Sequence, residues 1–272
     1  MWLALGSGVS VRAMNELVAV VLAAGKGTRM GSDLPKVLHP LHGEPLVVHP
    51  IRAARAAGAG LVVVVVGHGA AEVEAALNAH AGLRFAHAGL RFAHAGLRFA
   101  VQAEQRGTGH AVLCALPALA EHGGDVLILS GDVPRLRAAT LRRLAEACAA
   151  SPGGLALATF TPVDPTGYGR IVRVRDEVAA IVEERDASAE QRAIGECNAG
   201  VYCATAALLR RELPRLGSAN AQGEIYLTDL VAVAARQGVT ALVVPADEVA
   251  GVNTRGQLAA LAALPPVVDD LT

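Results

Sequence analysis

Three runs of unbroken aliphatic character, LVAVVL (17–22), LVVVVV (61–66) and VLIL (126–129), constrain this chain more than anything else in it. A strand with one face in water alternates apolar and polar residues, whereas a strand that is apolar throughout must be covered on both sides. Segments with helical spacing lie between and after these runs, at 45–57, 109–121 and 138–149. Buried strands alternating with helices predict an α/β fold with a parallel sheet flanked by helices on both faces. Ligands of such sheets sit beyond the carboxyl ends of the strands. The two most polar strand ends, AAGKGTR after the first run and SGD after the third, therefore point at one site.

Beyond residue 150 the pattern changes. LALATFTPV, GRIVRV, VAAIVEE and AGVYC are short strand signals divided by turn residues, and they predict a small antiparallel lobe over 155–205. A helix over 225–237, a strand at 240–245 and a last periodic stretch at 254–264 follow. The heptad AHAGLRF occurs three times in succession over 79–99. With a Gly in each copy it makes a poor coiled coil. The third copy, running into AVQAEQ, is expected to supply a strand, and the first two to loop out of the fold without function.

Filling this core falls to Ala, Val and Leu, because apolar residues make up 53% of the chain but aromatics only 3%. Lys and Arg (24) nearly cancel Asp and Glu (25), so the basic excess of a nucleic-acid binder is missing and any positive charge that matters is local. Cys114, Cys148, Cys197 and Cys203 show neither a CxxC pair nor zinc spacing, which reads as small buried thiols in a reducing compartment. The longest pure aliphatic run, 61–66, is far short of a bilayer span. The opening MWLALGSGVSVRAMNE lacks the basic and apolar regions of a secretory signal. A cytoplasmic location without membrane insertion is expected, with Met14 a candidate start.

The chemistry begins in LAAGKGTRMGSDLPK (22–36). A buried strand opening into Gly25, Lys26, Gly27, Thr28 and Arg29 offers free backbone N–H groups, and glycines let a phosphate approach them. Lys26, Arg29 and Lys36 add three cations. Gly27 follows the GK pair where a Walker A loop has Ser or Thr, and the glycine spacing is GxGxxxG, not the dinucleotide fingerprint. Asp132 in SGD, at the end of a buried strand, suits Mg²⁺, which takes one or two protein carboxylates beside phosphates and water. Read alone, the loop also fits a tight turn with solvated charges, and Asp132 a cap on the following turn.

Taken together, LAAGKGTRM, the SDLPK lysine, QAEQRGTGHA (102–111), GDVP (131–134), DPTGYGRI (164–171), IVEERDA (181–187), NAG (198–200), NAQGEIYLTD (220–229) and GVNTR (251–255) stand in one order. In that order they resemble the bacterial N-acetylglucosamine-1-phosphate uridyltransferases, specifically the N-terminal half of that bifunctional enzyme. The likeness covers 17–264. LAAGxGTRM is shared by nucleotidyltransferases at large, whereas QAEQxGTGHA, DPTGYGRI and NAQGExYLTD are specific to this one family.

The resemblance implies a Rossmann-like, glycosyltransferase A-like fold with a mostly parallel sheet and a small antiparallel β lobe. It implies an extension over 1–16, a nucleotidyltransferase domain over 17–250 and a linker helix with tail over 251–272. The implied reaction passes UMP from UTP to N-acetylglucosamine-1-phosphate, giving a peptidoglycan precursor for cell wall biogenesis. Leu22, Ala23, Ala24 and Gly25, with Gln102, Gly107 and Thr108, would hold uracil and ribose. Arg29 and Lys36, assisted by Lys26, would act on the phosphates, and Ser130 and Gly131 would line the nucleotide. Asp132 and Asn253 would hold Mg²⁺, while Gly169, Glu183 and Asn198 would recognise the sugar. His110 receives no part.

Ser130 stands where the family often has a larger residue. The family's left-handed β-helix has no counterpart here, so acetyltransferase activity is expected to be absent and the chain to be a monomer or weak oligomer. A piece of a longer enzyme and a stand-alone uridyltransferase both fit. Rival readings are another sugar-1-phosphate nucleotidyltransferase, a non-catalytic UDP-sugar-binding regulator, and a helical interaction protein built on the repeats.

Overall fold

A computed structural model describes residues 17–80 and 96–267. The three aliphatic runs become β1 (Leu17–Leu22), β4 (Ala59–Val66) and β6 (Asp125–Ser130). The short strands β2 (Pro40–Leu41) and β3 (Glu44–Pro45) form a separate two-stranded ribbon. β1 lies between β4 and β6 and is parallel to both, with Leu22 opposite Val65 on one side and Ser130 on the other. The three carboxyl ends therefore reach one rim together. Beyond β4 the sheet closes with β5 (Gly96–Val101), again parallel.

Val62 to Val66 are all fully buried. Each β-branched side chain resists helix and fills a pleated face, and its burial contributes about 1.5–3 kcal/mol. One face is covered by α1 (Val48–Ala56), α2 (Ala70–Ala79) and α4 (Ala138–Ala150), through Ile51, Val73, Leu77, Leu141 and Leu144. The other is covered by α3 (Thr108–Ala115), α6 (Ala206–Glu212) and α7 (Asp229–Ala234), through Val112, Leu208, Leu209 and Leu230. Two layers of helices around one sheet are what continuous aliphatic strands require.

The far side of β6 departs from a pure parallel order. β10 (Cys197–Thr205) runs antiparallel between β6 and β7 (Leu155–Phe160), and β11 (Thr240–Val243) is parallel to β7 at the edge. The segments LALATF and AGVYC thus extend the main sheet, and the small antiparallel element is the hairpin of β8 (Arg170–Val174) and β9 (Glu177–Val182). It joins the sheet where Arg170 pairs with Cys197. α5 (Ala189–Arg192) follows the hairpin, and α8 (Arg255–Ala262) closes the described chain.

The third AHAGLRF copy supplies β5, with Leu97 opposite Val62 and Phe99 opposite Val64. The first two copies lie outside the described residues beyond His80, as do the expected extension over 1–16 and the last five residues of the tail. The helix expected over 225–237 is confined to 229–234. Ile225 is instead held extended, donating its N–H to Arg106 O at 2.8 Å and accepting from Gly109 N–H at 2.8 Å.

Candidate active site

At the shared rim the chain leaves β1 under tight backbone control. Ala23 N–H donates to Val65 O at 2.8 Å, and Gly131 N–H donates to Leu22 O at 2.9 Å. Ala23 and Ala24 are buried, whereas Gly25 and Lys26 lie exposed. At Gly27, with φ 62°, a Cβ would stand 2.4 Å from the Lys36 Cβ. Only a residue without a side chain lets the loop fold back over Lys36.

Four predicted residues from four segments meet there. Lys36 Nζ donates to Asp132 Oδ2 and, at 3.1 Å, to Asn253 Oδ1. Arg29 donates to the same Asn253 oxygen at 3.0 Å. The second carboxylate oxygen, Asp132 Oδ1, accepts from Ser130 Oγ–H at 2.6 Å. Lys36 and Asp132 keep 15% and 13% of their side-chain surface exposed, so the pair is sheltered yet open to a ligand. Lys26 is not drawn in, making no hydrogen bond to another described residue.

Asn253 is positioned by its own neighbourhood. Val252 N–H donates to Asp132 O at 2.9 Å. Gln257 Oε1 accepts from Asn253 N–H at 2.8 Å and from Thr254 N–H at 3.1 Å, within the capping box that opens α8. Arg255 reaches back to Met30 O at 2.9 Å and Gly31 O at 2.8 Å, clamping the glycine-rich loop to the same helix.

A second group of residues stands at the end of β5. Gln102 is 3% exposed, with its N–H donating to Val66 O at 2.7 Å. Its side-chain Nε2 lies 3.0 Å from Gly107 O and 3.1 Å from His110 Nδ1. Gly107 has φ 101°, and a Cβ there would meet Ile225 O at 2.5 Å. Thr108 Oγ1 accepts from Leu227 N–H at 3.0 Å. The start of α3 is thereby docked on the extended 224–227 segment.

The residues expected to recognise the sugar form a third group, with Gly169 just before β8, Glu183 just after β9 and Asn198 on β10. Asn198 N–H donates to Gly169 O at 2.8 Å, joining two of them directly. Asn198 Nδ2 donates to Tyr202 OH at 2.6 Å, and its Oδ1 accepts from Gly200 N–H at 3.0 Å. Glu183 Oε1 accepts from Thr228 Oγ–H at 3.0 Å. Burial pushes the Glu183 carboxyl above the usual carboxylate range; Thr228 pulls the other way, while Asp186 and Asp229 add to the rise. Burial likewise pushes the Tyr202 phenol well up, with the Glu183 charge adding to it.

Sequence reading passed over Gln257, Tyr202, Thr228, Arg255 and His110 as side chains that hold the site. Thr228 and Arg255 stood inside motifs already singled out, and Thr254 followed three residues later by Gln257 is a capping signature. Tyr202 carried no signal of its own, since a tyrosine in an apolar strand reads as core.

A family model described as the MobA-like NTP transferase domain matches residues 19–198. The bifunctional protein GlmU of Anaeromyxobacter dehalogenans strain 2CP-C is 51% identical over 253 residues, covering 91% of this chain and 49% of that protein. GlmU of Anaeromyxobacter sp. strain Fw109-5 is 55% identical over 248 residues, covering 89% and 48%. GlmU of Trichlorobacter lovleyi is 51% identical over 245 residues, covering 89% and 50%. The chain thus spans about half the length of the curated relatives it matches. Among solved structures, a putative glucose-1-phosphate thymidylyltransferase from Bacillus anthracis superposes with a TM-score of 0.70. That match covers 92% of this chain and 96% of the other at 15% identity, a likeness of fold.

Proposed function

Since the chain belongs to the MobA-like NTP transferase family, we propose that it transfers UMP from UTP to N-acetylglucosamine-1-phosphate, releasing pyrophosphate. The observation that carries this reading is the meeting of Arg29, Lys36, Asp132 and Asn253 at the carboxyl rim of the parallel strands. Cations paired to oxygens at a strand rim are equipped to exchange those partners for phosphates. Relatives named GlmU at about half identity support the choice of sugar and base.

The reaction follows from charge. An oxygen of the sugar phosphate attacks the α-phosphorus of UTP in line; the bond from that phosphorus to the bridging oxygen breaks, and pyrophosphate leaves. Both reactants are anions, so the protein's work is alignment and neutralisation. Arg29 and Lys36 do this directly, and Lys26 from its exposed place in the loop. Leu22 to Gly25, Gln102, Gly107 and Thr108 hold uracil and ribose, with Ser130 and Gly131 under the phosphates. Gly169, Glu183 and Asn198 orient the sugar.

The donor set fits a hard divalent cation. A carboxylate oxygen and an amide oxygen reach one point, where the Lys36 ammonium lies, and two protein ligands leave room for phosphate and water. Asp132 and Asn253 would hold Mg²⁺, which when bound supplies charge neutralisation at the phosphates. No thiol is prepared as a nucleophile: burial pushes Cys114 and Cys197 up, and Cys203 rises through its contact with Cys148 and burial.

Pyrophosphate release with UTP, Mg²⁺ and a panel of sugar-1-phosphates tests the proposal. N-acetylglucosamine-1-phosphate should give the highest kcat/KM, and UTP should exceed CTP. Preference for another sugar or base would replace the assignment, and no release with any pair would end it.

A further inference from the structure

Gln102, at the end of β5, has only one of its two amide ends free. The atom 3.0 Å from Gly107 O must be the nitrogen, because a carbonyl oxygen accepts and cannot donate. The same nitrogen lies 3.1 Å from His110 Nδ1. An amide N–H donates, so that imidazole nitrogen accepts, which places the ring proton on Nε2. Nε2 in turn lies 3.9 Å from Cys114 Sγ, one helical turn along α3. Both amide hydrogens are then taken, one by Gly107 and one by His110. Gln102 Oε1 accepts no hydrogen bond from another described residue, nor is it a sealed, unpartnered atom.

We propose that His110 is a positioning residue for base selection: by taking the second amide hydrogen of Gln102 it leaves only an acceptor facing the nucleobase. This rests on the reading of the Gln102 pocket as the base site. At the centre of its pairing edge uracil carries an N3–H, which an acceptor matches. Cytosine carries a lone pair at the same place, which an acceptor repels. A glutamine with a free N–H would serve either base. The histidine converts an ambidextrous side chain into a one-way reader, and it does so without touching the nucleotide. The backbone carbonyl of Gly107 holds one hydrogen already, so the histidine's share is the second.

The test is the ratio of kcat/KM for UTP to that for CTP, measured by pyrophosphate release in the full chain. His110→Phe keeps a ring but removes the acceptor, and the ratio should fall roughly 3- to 10-fold, the worth of one net hydrogen bond. His110→Asn offers an oxygen near the Nδ1 position and should return the ratio to within about two-fold of the native value, as one restored hydrogen bond requires. Gln102→Ala should lower the ratio at least as far as His110→Phe does. A purely structural histidine would lower both nucleotides together and leave the ratio still; that result with His110→Phe overturns the proposal. If Gln102→Ala also leaves the ratio still, the base-site reading itself fails, and with it the inference.

Discussion

The end of the site proposed to meet phosphate and the end proposed to meet the sugar are built on different electrostatic plans. At the phosphate end, Lys36, Arg29, Asp132 and Asn253 are partnered mainly with one another, as ions and amides at an open rim. At the sugar end, Glu183 and Asn198 are fixed by the hydroxyls of Thr228 and Tyr202. The difference suits the ligand proposed for each end. Phosphates bring charge and exchange one set of ionic partners for another, so that end stays sheltered but accessible. Hydroxyls and an acetamide arm bring only directed hydrogen bonds, which work best in a low dielectric where competing water is absent.

The largest effect should come from removing charge at the phosphate end. Asp132→Ala should lower kcat by more than roughly 10³-fold, beyond the loss of a single neutral donor, because Lys36 loses its counter-ion and the cation site its carboxylate. Asn253→Ala should lose less and recover in part when Mg²⁺ is raised, whereas Asp132→Ala should not. Near-native kcat in Asp132→Ala would show that the Asp132 carboxylate is not needed at the phosphate end.

Arg29→Ala should lower kcat by roughly 10²–10³-fold without a change in melting temperature, since Arg29 lies exposed on the loop. A variant that kept kcat and raised only the KM for UTP would make Arg29 a ground-state binder, and the phosphate end less catalytic than drawn here.

Glu183→Gln tests the sugar end. KM for the sugar phosphate should rise about 10- to 100-fold, what a hydrogen bond to a charged group contributes, with little change in the KM for UTP. Stability should move the other way. Because the folded carboxyl binds its proton more tightly than the unfolded chain does, its stabilisation is complete below the ordinary value of 4.5 and is lost as pH rises through the folded value. The glutamine has nothing to lose, so its melting temperature should exceed the native one at neutral pH and not in acid. Equal melting temperatures at neutral pH would show that the sugar end stores no such cost.

The smallest effect is expected far from both ends. Deleting residues 80–93 joins Ala79 to His94 and leaves one intact heptad that ends at Phe99. Loop-closure entropy changes slowly with length, and kcat and both KM values should stay within error. A large loss would tie the repeats to one of the two ends.

The parallel half of the sheet was legible because five consecutive valines, or VLIL ended by a serine, leave no face for water. The place of β10 in the main sheet, between β6 and β7, was not. Val201 to Ala204 are buried, and hydrophobic pattern does not say which neighbours a buried strand pairs with. α2 escaped notice because only Val73 and Leu77 of its residues are buried, too few to set a period. Within the site, the residues proposed to meet phosphate announced themselves as charges beside glycines. The residues that steady its amides did not, since Gln257, Tyr202 and His110 are ordinary types that matter through their contacts with Asn253, Asn198 and Gln102.

β10 also runs back from the rim. Its first residue, Cys197, pairs directly with Phe160, the last residue of β7. The chain between those two positions therefore departs from and returns to adjoining points of one ladder, carrying Gly169 and Glu183 with it. Such an excursion can change in length while the β7–β10 pairing beneath it is kept. The nucleotide end has no equivalent freedom, because its residues hang from β1, β5 and β6, whose spacing the sheet itself dictates. Under the proposed reaction, the sugar acceptor is the substrate this architecture leaves open to change, and the nucleotide the one it holds fixed.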